Sequence, residues 1–347
     1  MEKHTAKRVR WGVIGAGGIA RRRTIPEGII PARNATLAAV YDVHDCDAIA
    51  RQFEAEPCKD EADLLRRVDA VYIATPVHRH VEQVLCAAKA GKHVLCEKPL
   101  GLNVSEAERI VRACGGAGVK LGVGLLMRFH ACHQAALDLV GKGRLGRMAL
   151  GRAQLSCWYP AMPNAWRQDF ELGGGGSLID MGCHCIDLLE TFLGRTRRVM
   201  CMAGRVMHGY PVEDTATVLL EFKSGAQGMV DCLFNVSDES VENRLELYGS
   251  EGSMLAAQTL GQDAGGKMIW RPRAGGGAYN AQQARADDGA VAISPTPVNT
   301  YRAQIEAFSD AVLNDAEPPV DGRAGLWNQR VVAACYESAR TGAAVNL

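Results

Sequence analysis

The sequence predicts an α/β chain in two parts: a doubly wound parallel sheet over residues 1–127, then an α+β domain with a large, mainly antiparallel sheet over 128–347. Three observations carry this reading. From Val9 to about Gly124, short β-branched or apolar runs alternate with helix-period segments, the βαβ pattern of a parallel sheet. After Arg128 the runs lengthen and alternate with period two, as strands with one covered face do. Finally, 347 residues of which 47% are apolar suffice to bury two cores.

In the first part, strands are expected at Val9–Gly15, Thr36–Asp42, Ala70–Thr75, His93–Cys96 and Lys120–Gly124. Helices are expected between them at Ile19–Ile30, Ala62–Arg67, Val81–Ala90 and Ser105–Cys114. Gly91 reads as the stop of the third helix, and Ser105 with Glu108 as a capping box opening the fourth. The second part begins with a helix at Ala131–Val140. Strands follow at Met148–Trp158, Ala216–Lys223, Gln227–Phe234 and Arg244–Tyr248. The Gly-, Ala-, Asp- and Gln-rich stretch Gly261–Pro297 reads as irregular surface loops with short strands, and two helices, Tyr301–Leu313 and Gly325–Arg340, close the chain.

Composition excludes several classes of function. Lys plus Arg and Asp plus Glu number 39 each, so nothing marks a chain built to coat nucleic acid or anionic lipid; a small, roughly neutral partner fits better. No apolar stretch reaches the ~18 residues of a membrane span. The start is basic but has no separate apolar segment with a cleavage site, and the twelve cysteines include no CxxC pair. A reduced, cytoplasmic chain is expected. Cys183-His184-Cys185 and His78-Arg79-His80 lack a second half at zinc spacing, so no metal is expected.

The first expected strand runs into Gly15-Ala16-Gly17-Gly18-Ile19-Ala20. Gly15 permits a tight turn, Gly17 lets backbone approach a pyrophosphate, and Ala20 permits close helix packing; the helix start supplies N–H groups and positive dipole. Strand two ends in Asp42, the acidic position that binds an adenosine ribose 2′-hydroxyl and repels a 2′-phosphate. The expectation is a Rossmann domain that binds NAD in preference to NADP. In Cys96-Glu97-Lys98-Pro99, Lys98 falls at the carboxyl end of a parallel strand, where open α/β sheets place ligands, and Pro99 holds it extended. Downstream, Gly173–Gly176 precede Ser177-Leu178-Ile179-Asp180-Met181-Gly182-Cys183-His184-Cys185-Ile186-Asp187. As a helix, that run carries Asp180, His184 and Asp187 on one face, and the glycines would let a flat ligand approach its entrance. Oxidising an alcohol needs a base for the hydroxyl proton, a cation that favours alkoxide character, and a group that orients the base. His184, Lys98 and Asp180 are expected in those roles.

These strings resemble the glucose-fructose oxidoreductase/inositol dehydrogenase/MocA family of NAD(P)-dependent sugar and cyclitol oxidoreductases. The matching residues are GAGGIA at 15–20, Ala74-Thr75-Pro76 with His80, AGKHVLCEKP at 90–99, Trp166-Arg167, GGGSLIDMGCHCID at 174–187, and Tyr248-Gly249-Ser250-Glu251-Gly252-Ser253. Val77 stands where many members carry Asn. The resemblance implies catalytic duty for Lys98, Asp180 and His184. It implies cofactor contacts from Gly15, Gly17, Gly18, Ile19, Asp42, Thr75, Pro76, His80, Glu97 and Lys98, and substrate contacts from Trp166, Arg167, Asp180 and His184; Arg128, at the hinge between the two halves, is a further candidate for substrate contact. A sugar or cyclitol substrate and a homodimer or homotetramer are expected. The same strings also suit a glycoside-cleaving enzyme that oxidises its sugar transiently, or a non-catalytic NAD-binding regulator.

Overall fold

A computed structural model describes residues 7–273, 281 and 289–347. Part of the stretch read as irregular, 274–280 and 282–288, lies outside the described residues. The chain divides into two compact units, neither of them continuous in sequence. One comprises Met1–Leu126, Met162–Asp180 and Asn299–Ala333; the other comprises Met127–Ala161, Met181–Val298 and Ala334–Leu347. Two segments of the expected second part, 162–180 and 299–333, thus belong to the first unit. Among the described residues no helix is long and apolar enough to cross a membrane.

The first unit holds six parallel strands: β1 (Val9–Ile14), β2 (Ala35–Tyr41), β3 (Glu56–Pro57), β4 (Ala70–Ile73), β5 (His93–Cys96) and β6 (Leu121–Val123). Their order is β3-β2-β1-β4-β5-β6, that of a Rossmann sheet, with the reversal of winding between β1 and β4. β1 and β4 are apolar runs because both of their faces are covered: Trp11, Val13, Tyr72 and Ile73 are buried. Trp11 donates its indole N–H to Ser309 Oγ at 3.0 Å and packs 5.4 Å from Phe308. The helix Thr300–Leu313 therefore covers this sheet, from a segment the sequence placed in the second part.

Local corrections have local causes. The turn after β1 opens a wide π-type helix, Ala20–Ile29, with Pro26 inside it, that buries Ile25 and Ile29. A helix at Cys46–Phe53 was not expected, although Ile49, Ala50 and Phe53 trace its inward stripe. The fourth expected helix starts earlier, at Val104, and its cap is Asn103 rather than Ser105. The Asn103 side chain accepts from Glu106 N at 3.0 Å, and Glu106 Oε2 accepts from Leu102 N at 2.8 Å. Glu106 thus reaches back one residue past the cap, and the helix start is fixed two residues upstream of the expected one.

The second unit is built on nine strands: β7 (Met148–Ser156), β8 (Thr196–Gly204), β9 (Thr215–Phe222), β10 (Gln227–Leu233), β11 (Arg244–Gly249), β12 (Gly252–Ala257), β13 (Lys267–Pro272), β14 (Val291–Ile293) and β15 (Val345–Asn346). They lie in the order β14-β13-β12-β11-β7-β10-β9-β8-β15, antiparallel except for the pair β7–β10. Sequence reading missed β8, where Met200 and Met202 point outward and blur the alternation. The helix Cys183–Leu193 covers one face at Gly151, where an added Cβ would lie 2.7 Å from Leu193 and 2.9 Å from Leu189. The other face exposes Met200, Met202 and Leu219.

Buried histidines lock both units. In the first, the two ring nitrogens of His80 lie 3.0 Å from the carbonyl oxygens of Thr75 and Pro99, bracing the turns that follow β4 and β5. In the second, His133 lies between Met127 O at 2.7 Å and Thr259 Oγ1 at 3.1 Å. Burial brings the His80 pKa down to about 4 and that of His133 to about 3.

Two predictions follow from these contacts. Between pH 6.5 and 4 the unfolded chain binds a proton at His133 that the native ring refuses, so stability falls as pH falls through that window, by up to about 3 kcal/mol at pH 4. Urea midpoints measured across the window should show it, with a shallower slope in His133→Gln; an equal slope would contradict the assignment. Secondly, a Cβ at Gly249 would lie 2.1 Å from Leu145 O, whereas one at Gly204 meets nothing within 4 Å. Gly249→Ala should cost about 2 kcal/mol of unfolding free energy and Gly204→Ala less than about 0.5 kcal/mol.

Candidate active site

The turn after β1 is shaped for a ligand with a diphosphate and a ribose. Gly15 adopts φ +79°, and a Cβ there would lie 2.7 Å from Thr75 Cγ2, so the Thr75-Pro76 turn packs directly on it. Gly17 donates its amide to Asp42 Oδ2 at 2.8 Å, and His44 N donates to Oδ1 at 2.9 Å. These bonds fix the Asp42 carboxylate against the turn, while open space lies where a Cβ on Gly18 would stand. Ile19 is already in helical conformation, so the amides that follow stand at a helix entrance. The residues present therefore fit NAD. His80 braces this region from behind: it is 1% exposed and its ring nitrogens face backbone, so it positions the turns instead of meeting a cofactor.

Lys98 follows β5, at the carboxyl edge of the sheet. Its Nζ donates to Asp180 Oδ1 at 2.7 Å and to Asp180 O at 2.6 Å. Arg167 donates Nε to the same Oδ1 at 3.1 Å, and its guanidinium carbon lies 4.1 Å from the centre of the Trp166 ring. Burial alone favours the neutral acid, but the Lys98 and Arg167 charges outweigh it and hold the Asp180 carboxyl far below the usual carboxylate range. Asp180 is thus a fixed anion and carries no proton near neutral pH. Lys98, Asp180, Trp166 and Arg167 all belong to the first unit.

The run carrying Asp180 is helical, as expected, but in two pieces: a π-type turn at Leu178–Gly182, then the α-helix Cys183–Leu193 with His184 in its first turn. The glycines before it pack tightly and do not open an entrance. Gly173–Gly176 are buried. A Cβ on Gly173 would lie 2.9 Å from Trp166 O, and one on Gly174 would lie 3.4 Å from Leu102 O.

Two other expected contacts have structural partners. Arg128, expected at the substrate, grips Asp187 with both arms of its fork: Nε to Oδ2 at 2.7 Å and Nη2 to Oδ1 at 2.5 Å. Burial pushes the Asp187 carboxyl above its usual range, and the Arg128 fork works against that shift. Glu97, expected at the cofactor, turns inward: its carboxyl accepts from Tyr72 OH at 2.5 Å and from Lys98 N at 3.2 Å. Sequence reading missed Tyr72 and Thr24 as its supports. Tyr72 lies within an apolar strand and Thr24 follows three arginines, and no spacing relates either to Glu97.

Comparison with known proteins places the chain in a family. Residues 9–125 match the oxidoreductase family with an NAD-binding Rossmann fold, and residues 133–255 match the GFO/IDH/MocA C-terminal domain. The chain is 30% identical to the 1,5-anhydro-D-fructose reductase of Ensifer adhaerens, over 97% of this chain and 98% of that one. It is 31% identical to the myo-inositol 2-dehydrogenase of Thermotoga maritima, over 72% of this chain and 75% of the relative. Among solved structures, the aldose-aldose oxidoreductase from Caulobacter crescentus complexed with glycerol superposes with a TM-score of 0.86 at 27% identity, covering 98% of this chain and all of that one. A Rossmann sheet with its glycine turn and fixed Asp42, a lysine paired with aspartate at the sheet edge, and sequence matches in both halves have one meaning: the chain belongs to the GFO/IDH/MocA family of NAD(P)-dependent oxidoreductases.

Proposed function

We propose that this chain is an NAD-preferring dehydrogenase that acts reversibly on a secondary alcohol of a sugar or cyclic polyol. The observation that carries this reading is the Lys98–Asp180–Arg167 cluster at the carboxyl edge of the sheet that bears the Asp42 turn. The relatives named for anhydrofructose, inositol and aldose chemistry support the substrate class. Gly15, Gly17, Gly18, Ile19 and Asp42 would hold the dinucleotide, and the Asp42 charge disfavours a 2′-phosphate.

When bound, the nicotinamide supplies the hydride acceptor or donor. Lys98 presents its ammonium to the substrate oxygen and favours alkoxide character. Asp180 orients that ammonium and remains ionised throughout, so the hydroxyl proton goes to another group. His184, the imidazole of the same motif string, exchanges it. Trp166 and Arg167 line the substrate position, with the Arg167 guanidinium lying over the indole. A homodimer or homotetramer is part of the proposal, because Met200, Met202 and Leu219 leave an apolar stripe on the open sheet face. A cytoplasmic setting suits the twelve cysteines, all present as free thiols.

Measuring NADH accumulation across a panel of inositols, aldoses and anhydro sugars tests the reaction. At least one should be oxidised with net NADH; tight NAD binding with no NADH from any member would remove the dehydrogenase reading. With the best substrate, Lys98→Met and His184→Ala should each lower kcat by roughly 10²- to 10⁴-fold, and near-normal turnover in either would overturn its assigned role. Asp42→Ala should shrink the preference for NADH over NADPH by about tenfold, a change of about 1.4 kcal/mol; an unchanged ratio in titration would show that another residue sets it.

A further inference from the structure

We propose that Glu97 is a positioning residue for the Lys98 ammonium, holding the lysine's backbone through a buried hydroxyl relay and opposing its charge. The proposal rests on the reading that Lys98 is catalytic, and it assigns the carboxyl that holds that lysine's amide.

Four elements converge on the Glu97 carboxyl. From β4, fully buried Tyr72 donates its hydroxyl to Oε1 at 2.5 Å. From the helix Ala20–Ile29, fully buried Thr24 donates to the Tyr72 oxygen at 3.1 Å. The Lys98 amide donates to Oε2 at 3.2 Å. After β6, a Cβ on Gly124 would lie 2.9 Å from both carboxyl oxygens, so the glycine is what leaves room for the acid. Tyr301, from the helix Thr300–Leu313, and Arg23 also face the cluster: the Tyr301 phenol is pushed up by burial and then by the Glu97 charge, with Arg23 opposing.

The donors are arranged for an anion. Each carboxyl oxygen accepts one hydrogen bond, and the O–H groups point in series from Thr24 to Tyr72 to Glu97. If Glu97 takes a proton, the same two hydroxyls can reverse and point from Glu97 to Thr24, so either state satisfies the relay. Burial pushes the Glu97 carboxyl up, while the Lys98 charge, the Tyr72 hydroxyl, the Lys98 amide and the Arg167 charge pull it back. Lys98 and Arg167 bring two positive charges, and Asp180 and Glu97 bring two negative ones. With Glu97 ionised the group is neutral, and with Glu97 protonated it is cationic. The proton on Glu97 therefore decides how tightly Lys98 keeps its own.

The test follows the lysine itself, which needs no substrate. In protein carrying ¹³Cε-labelled lysine, the resonance missing from Lys98→Arg identifies Lys98, and its shift is titrated with pH. Glu97→Gln keeps a polar group of the same shape without the charge, so Lys98 should titrate lower than in the wild type by about one pH unit or more. Tyr72→Phe, which takes away the donor that favours ionised Glu97, should move it the same way by less, and Glu97→Asp should restore most of the wild-type titration. With a turned-over substrate in hand, the basic limb of kcat/KM should move with the resonance. Lys98 titrating as in the wild type in both Glu97→Gln and Tyr72→Phe overturns the proposal. Should Glu97→Gln not fold, unchanged titration in Tyr72→Phe suffices to overturn it. A shifted resonance in a protein that oxidises no polyol would leave the positioning role standing and remove the catalytic reading on which it was built.

Discussion

An ammonium and a carboxylate 2.7 Å apart, with side chains only 11% and 23% exposed, organise the first unit. Such a pair is unstable in isolation, because removing two charges from water costs more than their mutual attraction returns unless further hydrogen bonds complete them. Here they do. Lys98 also reaches the Asp180 carbonyl, and Arg167, over the Trp166 ring, adds a second cation to the carboxylate oxygen that Lys98 holds. The pair ties residues 162–180 to the Rossmann sheet, and the packing of Gly174 against Leu102 O, beyond β5, adds to that attachment.

Behind the pair, the turns that follow β4 and β5 are braced from inside. His80 spans the carbonyls of Thr75 and Pro99, while Tyr72 and the Lys98 amide hold Glu97. Gly15 packs against Thr75, so the glycine turn and the turn after β4 form one rigid edge. Groups that stabilise developing charge act best when they are already in place, since reorientation during the reaction costs free energy. In the proposed reaction the braces would supply that preorganisation.

The second unit solves a different problem. Its sheet carries one helix-covered face, where Gly151 admits Leu189 and Leu193, and one open face. Exposed Met200 and Met202 on β8 beside Leu219 on β9 are costly to hydrate and contribute nothing to the unit's own core. Arg128 and Asp187 form a second internal ion pair there, so the polar residues of the motif helix are distributed between two tasks, one of them structural.

The alternating pattern, the glycine turn and Asp42 made the Rossmann sheet legible, because parallel strands buried on both faces must be apolar runs and a tight turn needs glycine. The motif strings also singled out Lys98, Asp180 and Arg167, since a lysine after a strand and an aspartate in an apolar helix are local facts. Other features came only from the fold. That Thr300–Leu313 covers the first sheet, that Arg128 belongs to Asp187, and that Tyr72 and Thr24 stand under Glu97 are matters of proximity between distant segments. Periodicity records which residues leave water, and it contains no term for what they meet on arrival. Sequence by itself therefore determined the chemical groups and the kind of sheet that carries them. Tertiary structure decided the partner of each charge, because a charge out of water is stabilised by the nearest counter-charge in space, whatever its place along the chain.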